Sequence, residues 1–127
     1  MVRAIAAVVL AIVTWLVVAT LGNWGLRALI PGYSAVEASM AFSLPMMLGR
    51  LALGVISSLC AGAACAAIAR QSRRPAVVAA VLLTLFFLPV HYMLWDKFPG
   101  WYHAFFLVSL APSVLAGAAL MSRFAPR

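Results

Sequence analysis

The chain has 127 residues, of which 67% are hydrophobic and 9% charged, and its mean hydropathy is +1.13. Nine basic and two acidic side chains cannot cover the surface of a water-soluble domain this small, and the same composition excludes a disordered tail, a disulfide-rich scaffold and a collagen-like fibre. The net charge of +7 does not indicate nucleic-acid binding, because the basic residues punctuate the ends of apolar runs instead of forming one patch.

Hydrocarbon is therefore the expected solvent, and the apolar runs at residues 4–23, 51–69, 75–95 and 103–122 are each read as a membrane-spanning helix. Roughly twenty residues at 1.5 Å each cross a hydrocarbon core of about 30 Å. Helices are expected because backbone groups must be satisfied within each segment, and no short alternating runs suggest a barrel. The first run opens on a basic residue, Arg3, as a signal peptide would, but residues 4–21 are long for that role and no A-x-A site follows. A retained helix is expected.

The connection after the first span contains Pro31-Gly32, which predicts a type II turn with Gly at positive φ. Next, Ser34-Ala35-Val36-Glu37 matches the capping box S-x-x-E and predicts a short extra helix from Ala35 through Met40 and Phe42, bending or restarting at Pro45. The second span carries Gly54, Ser58, Gly62 and Ala66 at four-residue spacing, a groove of small side chains that allows close helix approach. A partial counterpart in the fourth span is Ser109, Ser113 and Gly117. Cys60 and Cys65 point about 140° apart on a helix and do not form a C-x-x-C pair; this differs from the reactive pairs of the four-helix disulfide-forming quinone reductases. Pro89 and Pro112 are expected to kink the third and fourth helices. Between those helices Phe98-Pro99-Gly100-Trp101 repeats the turn chemistry of Ile30-Pro31-Gly32-Tyr33.

Arg3, Arg70, Arg73, Arg74, Arg123 and Arg127 fall on one side of the spans and Arg27, Arg50 and Lys97 on the other. Cytoplasmic loops retain positive charge, so both termini are expected inside the cell. The fold class that follows is an all-α, up-down-up-down four-helix bundle, a single polytopic domain in the cytoplasmic (inner) membrane. Glu37 and Asp96 then lie outside, with an aromatic belt of Trp24, Tyr33, Tyr92, Trp95, Trp101 and Tyr102; Trp15 alone is mid-span.

Counting along each span brings Asn23, Arg50 and His103 near one level, with His91 about one turn deeper, so that these residues and Asp96 form a ring at the outer end. Two readings compete. As a ligand site, this rim pairs Asp96 with Arg50 and offers His91 and His103 to a metal, a haem, a quinone headgroup or a proton. As interfacial anchoring, Arg50 snorkels to headgroups and Asp96 and Lys97 solvate the turn. Met40, Met46, Met47 and Met93 cluster toward the same side and raise Cu(I) as a metal. No cofactor is assigned.

No catalytic triad, zinc-protease motif, P-loop or dinucleotide fingerprint is present. The first span lacks the membrane carboxylate of the small multidrug transporters, and polar groups near or below mid-depth are confined to Ser57, Ser58, Cys60, Cys65, Thr84 and Ser113, which disfavours a monomeric ion path. The sequence thus predicts a non-enzymatic structural, accessory or partner-binding membrane subunit that meets lipid and either a second copy or another membrane protein, but no nucleic acid. The alternatives are the rim ligand site and an oligomeric transporter or channel.

Overall fold

The computed structural model of the protein describes residues 1–70 and 72–125. Gln71 of the arginine-rich connection, and Arg127 of the basic count, lie outside the described residues. Helix makes up 86% of the structure and no strand is present among the described residues, so backbone donors and acceptors are satisfied within their own segments.

The elements in order are α1 (Val2–Leu29), α2 (Tyr33–Glu37), α3 (Leu44–Ala69), α4 (Arg74–Met93), a 3₁₀ turn (Trp95–Lys97) and α5 (Gly100–Phe124). Helices α1, α3, α4 and α5 are each long and apolar enough to cross a membrane. Two of them overrun the predicted spans by more than a turn at one end. Helix α1 continues past Asn23 to Leu29, and α3 starts at Leu44, before Arg50. Pro45 sits in the first turn of α3, where its missing N–H costs nothing.

The predicted turn at Ile30–Tyr33 is present: Gly32 adopts φ 79° and ψ 0°, and the Tyr33 amide donates to the Ile30 carbonyl at 3.2 Å. The predicted capping box is not. Helix α2 begins at Tyr33 with Gly32 as its cap and no side-chain capping bond, and it ends at Glu37. It does not reach Met40, whose φ of 55° is incompatible with a right-handed helix. Pro99-Gly100 also departs from expectation. Pro99 caps α5 and Gly100 is its first residue; Gly32 is the only described glycine with positive φ. Pro89 and Pro112 lie inside continuous helices.

Helix α3 is held between α1 and α5. On one side Leu53 lies against Gly22, Leu26 against Gly49, and Trp15 Nε1 donates to Ser58 Oγ at 3.0 Å. On the other, Gly54 faces Phe106, Gly62 meets the backbone of Val114 and Ala118, and Gly117 meets the backbone of Leu59. The small-residue stripe is therefore divided. Ser58 serves α1, whereas Gly62 and Gly117 let α3 and α5 approach backbone to backbone. Ser109 bonds back to Phe106 O within its own helix, and Ala66 is buried. Helix α4 packs on α5 and α1. Ala7, Ala11 and Trp15 of α1 join Ala76, Ala79, Ala80 and Leu83 of α4 in one buried cluster.

Because a methyl at Gly62 or Gly117 would overlap backbone atoms, which cannot rotate aside, Gly62→Ala and Gly117→Ala should each destabilise by roughly 1–3 kcal/mol or more. At Gly25 no atom lies in the way, so Gly25→Ala should be neutral or stabilise by about 0.5–1 kcal/mol. Thermal unfolding of the purified variants in one detergent checks both, and equal midpoints for all three would refute the close-approach account.

Candidate functional site

At the end of the assembly where α1 meets α2, the turn at Gly32 directs Tyr33 inward. Its side chain is fully buried. Its hydroxyl donates to Asn23 Oδ1 at 2.9 Å and accepts from Arg50 Nη1 at 2.7 Å. The Arg50 Nε also donates to the Tyr102 hydroxyl, at 3.3 Å. The guanidinium carbon lies 4.7 Å from the ring centre of Phe42 and 5.8 Å from that of Phe98, within cation–π range. Phe98 stacks on Tyr102 at 4.3 Å. Four side chains thus hold one arginine, Tyr33 from α2, Phe42 before α3, Phe98 before α5 and Tyr102 within α5, and Asn23 of α1 stands behind Tyr33.

Beside this cage, His91 Nδ1 lies 2.7 Å from His103 Nδ1, and His103 Nε2 lies 3.3 Å from the Trp95 carbonyl. Both rings are buried. A carbonyl only accepts, so the hydrogen of His103 belongs on Nε2 and its Nδ1 accepts from His91 Nδ1–H. His91 Nε2 is then the pair's unused acceptor. Trp95 stacks on His103 at 4.8 Å, which fixes the second ring.

Arg50, Tyr102 and His91 line one cavity of about 430 Å³ between α1, α3, α4 and α5. Its floor is the aromatic group Trp15, Phe87 and Phe106, whose rings are 4.6 to 6.3 Å apart. Leu16, Thr20 and Trp24 line its α1 side and are exposed on the helix surface. The cavity therefore opens sideways through the seam between α1 and α4.

Asn23, Arg50, His91 and His103 are brought together. Asp96 is not. It lies exposed in the 3₁₀ turn and makes no ion pair with Arg50; two tyrosine hydroxyls occupy the arginine instead. The predicted aromatic belt also divides: Trp24, Tyr92, Trp95 and Trp101 are exposed, whereas Tyr33 and Tyr102 are buried in the site. Met93 is 82% exposed, Met46 is buried, and Met40 and Met47 pack against the cluster of Leu51, Phe98 and Tyr102. No three His, Cys, Asp or Glu side chains converge among the described residues; the donors present for a metal are two imidazoles already bonded to each other. Cys60 and Cys65 are both free thiols.

One ion pair secures the lid of the cage. Arg27 Nη2 donates to Glu37 Oε2 at 2.8 Å and Arg27 Nε to Oε1, tying the end of α1 to the end of α2. Glu37 is thereby diverted from the capping role that its spacing from Ser34 suggested. The hydrogen bond from Arg27 and its positive charge hold the Glu37 carboxyl below its ordinary value, against a smaller opposing effect of desolvation.

No family model, curated protein or solved structure matches this chain. The functional argument accordingly rests on the geometry just described.

Two outcomes follow. Tyr33→Phe keeps the ring but strands Asn23 and Arg50, and should cost about 1–3 kcal/mol, whereas Tyr92→Phe, at an exposed position, should leave the unfolding midpoint unchanged; a neutral Tyr33→Phe would show that the hydroxyl bridge is not formed. Because the folded-state value of Glu37 is lowered from 4.5, its contribution is present above that pH and lost as pH falls through the lower folded value. The stability gap between wild type and Glu37→Gln should therefore narrow on acidification below about pH 4.5, and shrink in high salt. A gap that widened on acidification would reverse the assignment.

Proposed function

We propose that this chain is a non-enzymatic, multi-pass subunit of the inner membrane whose working part is a chamber for a small amphipathic ligand at the outer rim. The four apolar helices form an up-down-up-down bundle with both termini cytoplasmic and α2 outside. The helix registers support that topology: numbering on α1 falls as that on α3 rises, from Trp15 with Ser58 to Leu26 with Gly49, whereas Gly54 with Phe106 and Gly62 with Val114 rise together. The surplus of arginine in the 2–3 connection and at the termini supports the orientation.

The observation that carries the ligand reading is that Arg50 and His91, both with unused bonding capacity, line the same mostly apolar cavity. Pockets of about 300–1,000 Å³ with a few convergent polar groups are the usual seats of small molecules. An anchoring role alone would leave Arg50 extended toward headgroups; here it is folded under Phe42 and fixed by two hydroxyls. The small-residue contacts of Gly62 and Gly117 are used within the chain, which favours a self-contained protomer over one that needs a second copy to pack.

Ala19 lines the cavity, so Ala19→Phe should fill it without touching Arg50. Protein purified in mild detergent from native membranes should yield, on denaturation and solvent extraction, a small molecule at least tenfold depleted in Ala19→Phe by mass spectrometry. Identical extracts would sink the chamber reading. A metal or a visible absorption band lost in His91→Ala would replace it with the metal or haem reading.

A further inference from the structure

The cavity has more hydrogen-bond donors than protein acceptors to receive them. Arg50 carries five N–H groups, and the protein accepts two of them, at Tyr33 and Tyr102. The Tyr102 hydroxyl accepts from Arg50, and its own hydrogen meets no protein acceptor among the described residues. Charge is unbalanced in the same sense. Arg27 and Arg50 both line the cavity. Glu37, the one carboxylate nearby, is engaged at both oxygens by Arg27, and exposed Asp96 is not part of the wall. A guanidinium half-buried beside apolar walls is costly unless an anion compensates it.

Resting on the chamber reading, we infer that the occupant is a lipid-like amphiphile with a phosphate headgroup, which seats its oxygens on Arg50 and the Tyr102 hydroxyl and leaves its chains in the seam between α1 and α4. Arginine is suited to this by geometry as well as charge, because its planar fork matches two phosphate oxygens at once. The cage around it supplies preorganisation: Phe42 and Phe98 cover the guanidinium and the tyrosines fix two of its edges, so the remaining donors are aimed before the ligand arrives. A neutral carbonyl ligand such as a quinone would accept hydrogen bonds but leave the charge unmatched. The rest of the wall suits a chain. Leu16, Phe87, Val90 and Leu94 are apolar, and the sideways opening at Leu16 and Trp24 lets tails remain in hydrocarbon, since the cavity is too small to enclose a whole two-chain lipid.

The test uses the full chain in a neutral detergent, with native mass spectrometry and thermal unfolding as readouts. The probes are dioctanoyl phosphatidic acid, dioctanoylglycerol with the same chains and no phosphate, decylubiquinone, and inorganic phosphate alone. Phosphatidic acid should bind one per chain, raise the unfolding midpoint, and bind at least tenfold more tightly than each of the other three. Arg50→Met should lose that preference, Arg50→Lys should keep part of it because charge survives without the fork, and Ala19→Phe should bind none of the amphiphiles. Dioctanoylglycerol or decylubiquinone binding as tightly as phosphatidic acid would overturn the phosphate assignment while leaving the chamber intact. Inorganic phosphate binding equally well would overturn the lipid source. Unchanged binding in Ala19→Phe would overturn the chamber itself. If Arg50→Met does not survive purification, the headgroup comparison on wild-type protein decides the inference alone.

Discussion

A positive charge at the edge of an apolar phase must be neutralised, solvated or held by polar and aromatic groups, and in this protein Arg50 is held. No carboxylate reaches it. Two phenolic hydroxyls and two aromatic faces do so instead, and the connections between the long helices are arranged to deliver them. The type II turn at Gly32 swings Tyr33 inward, the extended stretch before α3 brings Phe42 alongside, and Pro99 starts α5 so that Phe98 and Tyr102 stack over the same guanidinium. The Arg27–Glu37 pair then closes α2 over the cage. Loss of the arginine would leave this end with buried hydroxyls and no shared partner.

The packing of the long helices serves this arrangement unevenly. Between α3 and α5 the backbones touch through Gly62 and Gly117, giving a rigid pair on which Arg50 and Tyr102 occupy matching heights. Lipid chains are as apolar as the side chains they would displace, so this contact is stabilised by close fit and dispersion and not by exclusion of water. Between α1 and α4 at the polar end, beyond the packed rings of Trp15 and Phe87, the helices leave a cavity. Rigidity on one side and a gap on the other suit the chamber proposed above.

Much of this was legible before the coordinates. Hydropathy marks the four long helices, because hydrocarbon demands continuous apolar length, and depth counting brings Asn23, Arg50 and His103 near one level with His91 about a turn deeper. What depth cannot supply is direction around the helix axis. Tyr33 and Tyr102 sat at the level of interfacial aromatics and were grouped with Trp24 and Trp95, although they turn inward and carry the site. The readable signal is an inventory: an arginine at a span boundary, two acidic residues (Glu37 and Asp96) against three basic ones (Arg27, Arg50 and Lys97) at that end, and two tyrosines at the same level. Asp96 matches Arg50 on charge alone, but the 3₁₀ turn leaves it exposed. Local motifs failed where a tertiary partner competed. Ser34-x-x-Glu37 has the spacing of a capping box, but a charged hydrogen bond to Arg27 outbids a neutral backbone amide. Pro99-Gly100 shares its letters with Pro31-Gly32, yet the helix that follows absorbs the glycine into ordinary right-handed conformation.

The alanines shared by α1 and α4 have one more consequence. Ala7 and Ala11 on one helix and Ala76, Ala79 and Ala80 on the other are buried in a single cluster, directly beyond the floor that Trp15 and Phe87 make. Side chains that short bring two helices together like a cinched waist, and below it a second hollow, lined by Arg3 and Arg74, opens at the far end. The two hollows are thus separate, and a path joining them would require the waist to part.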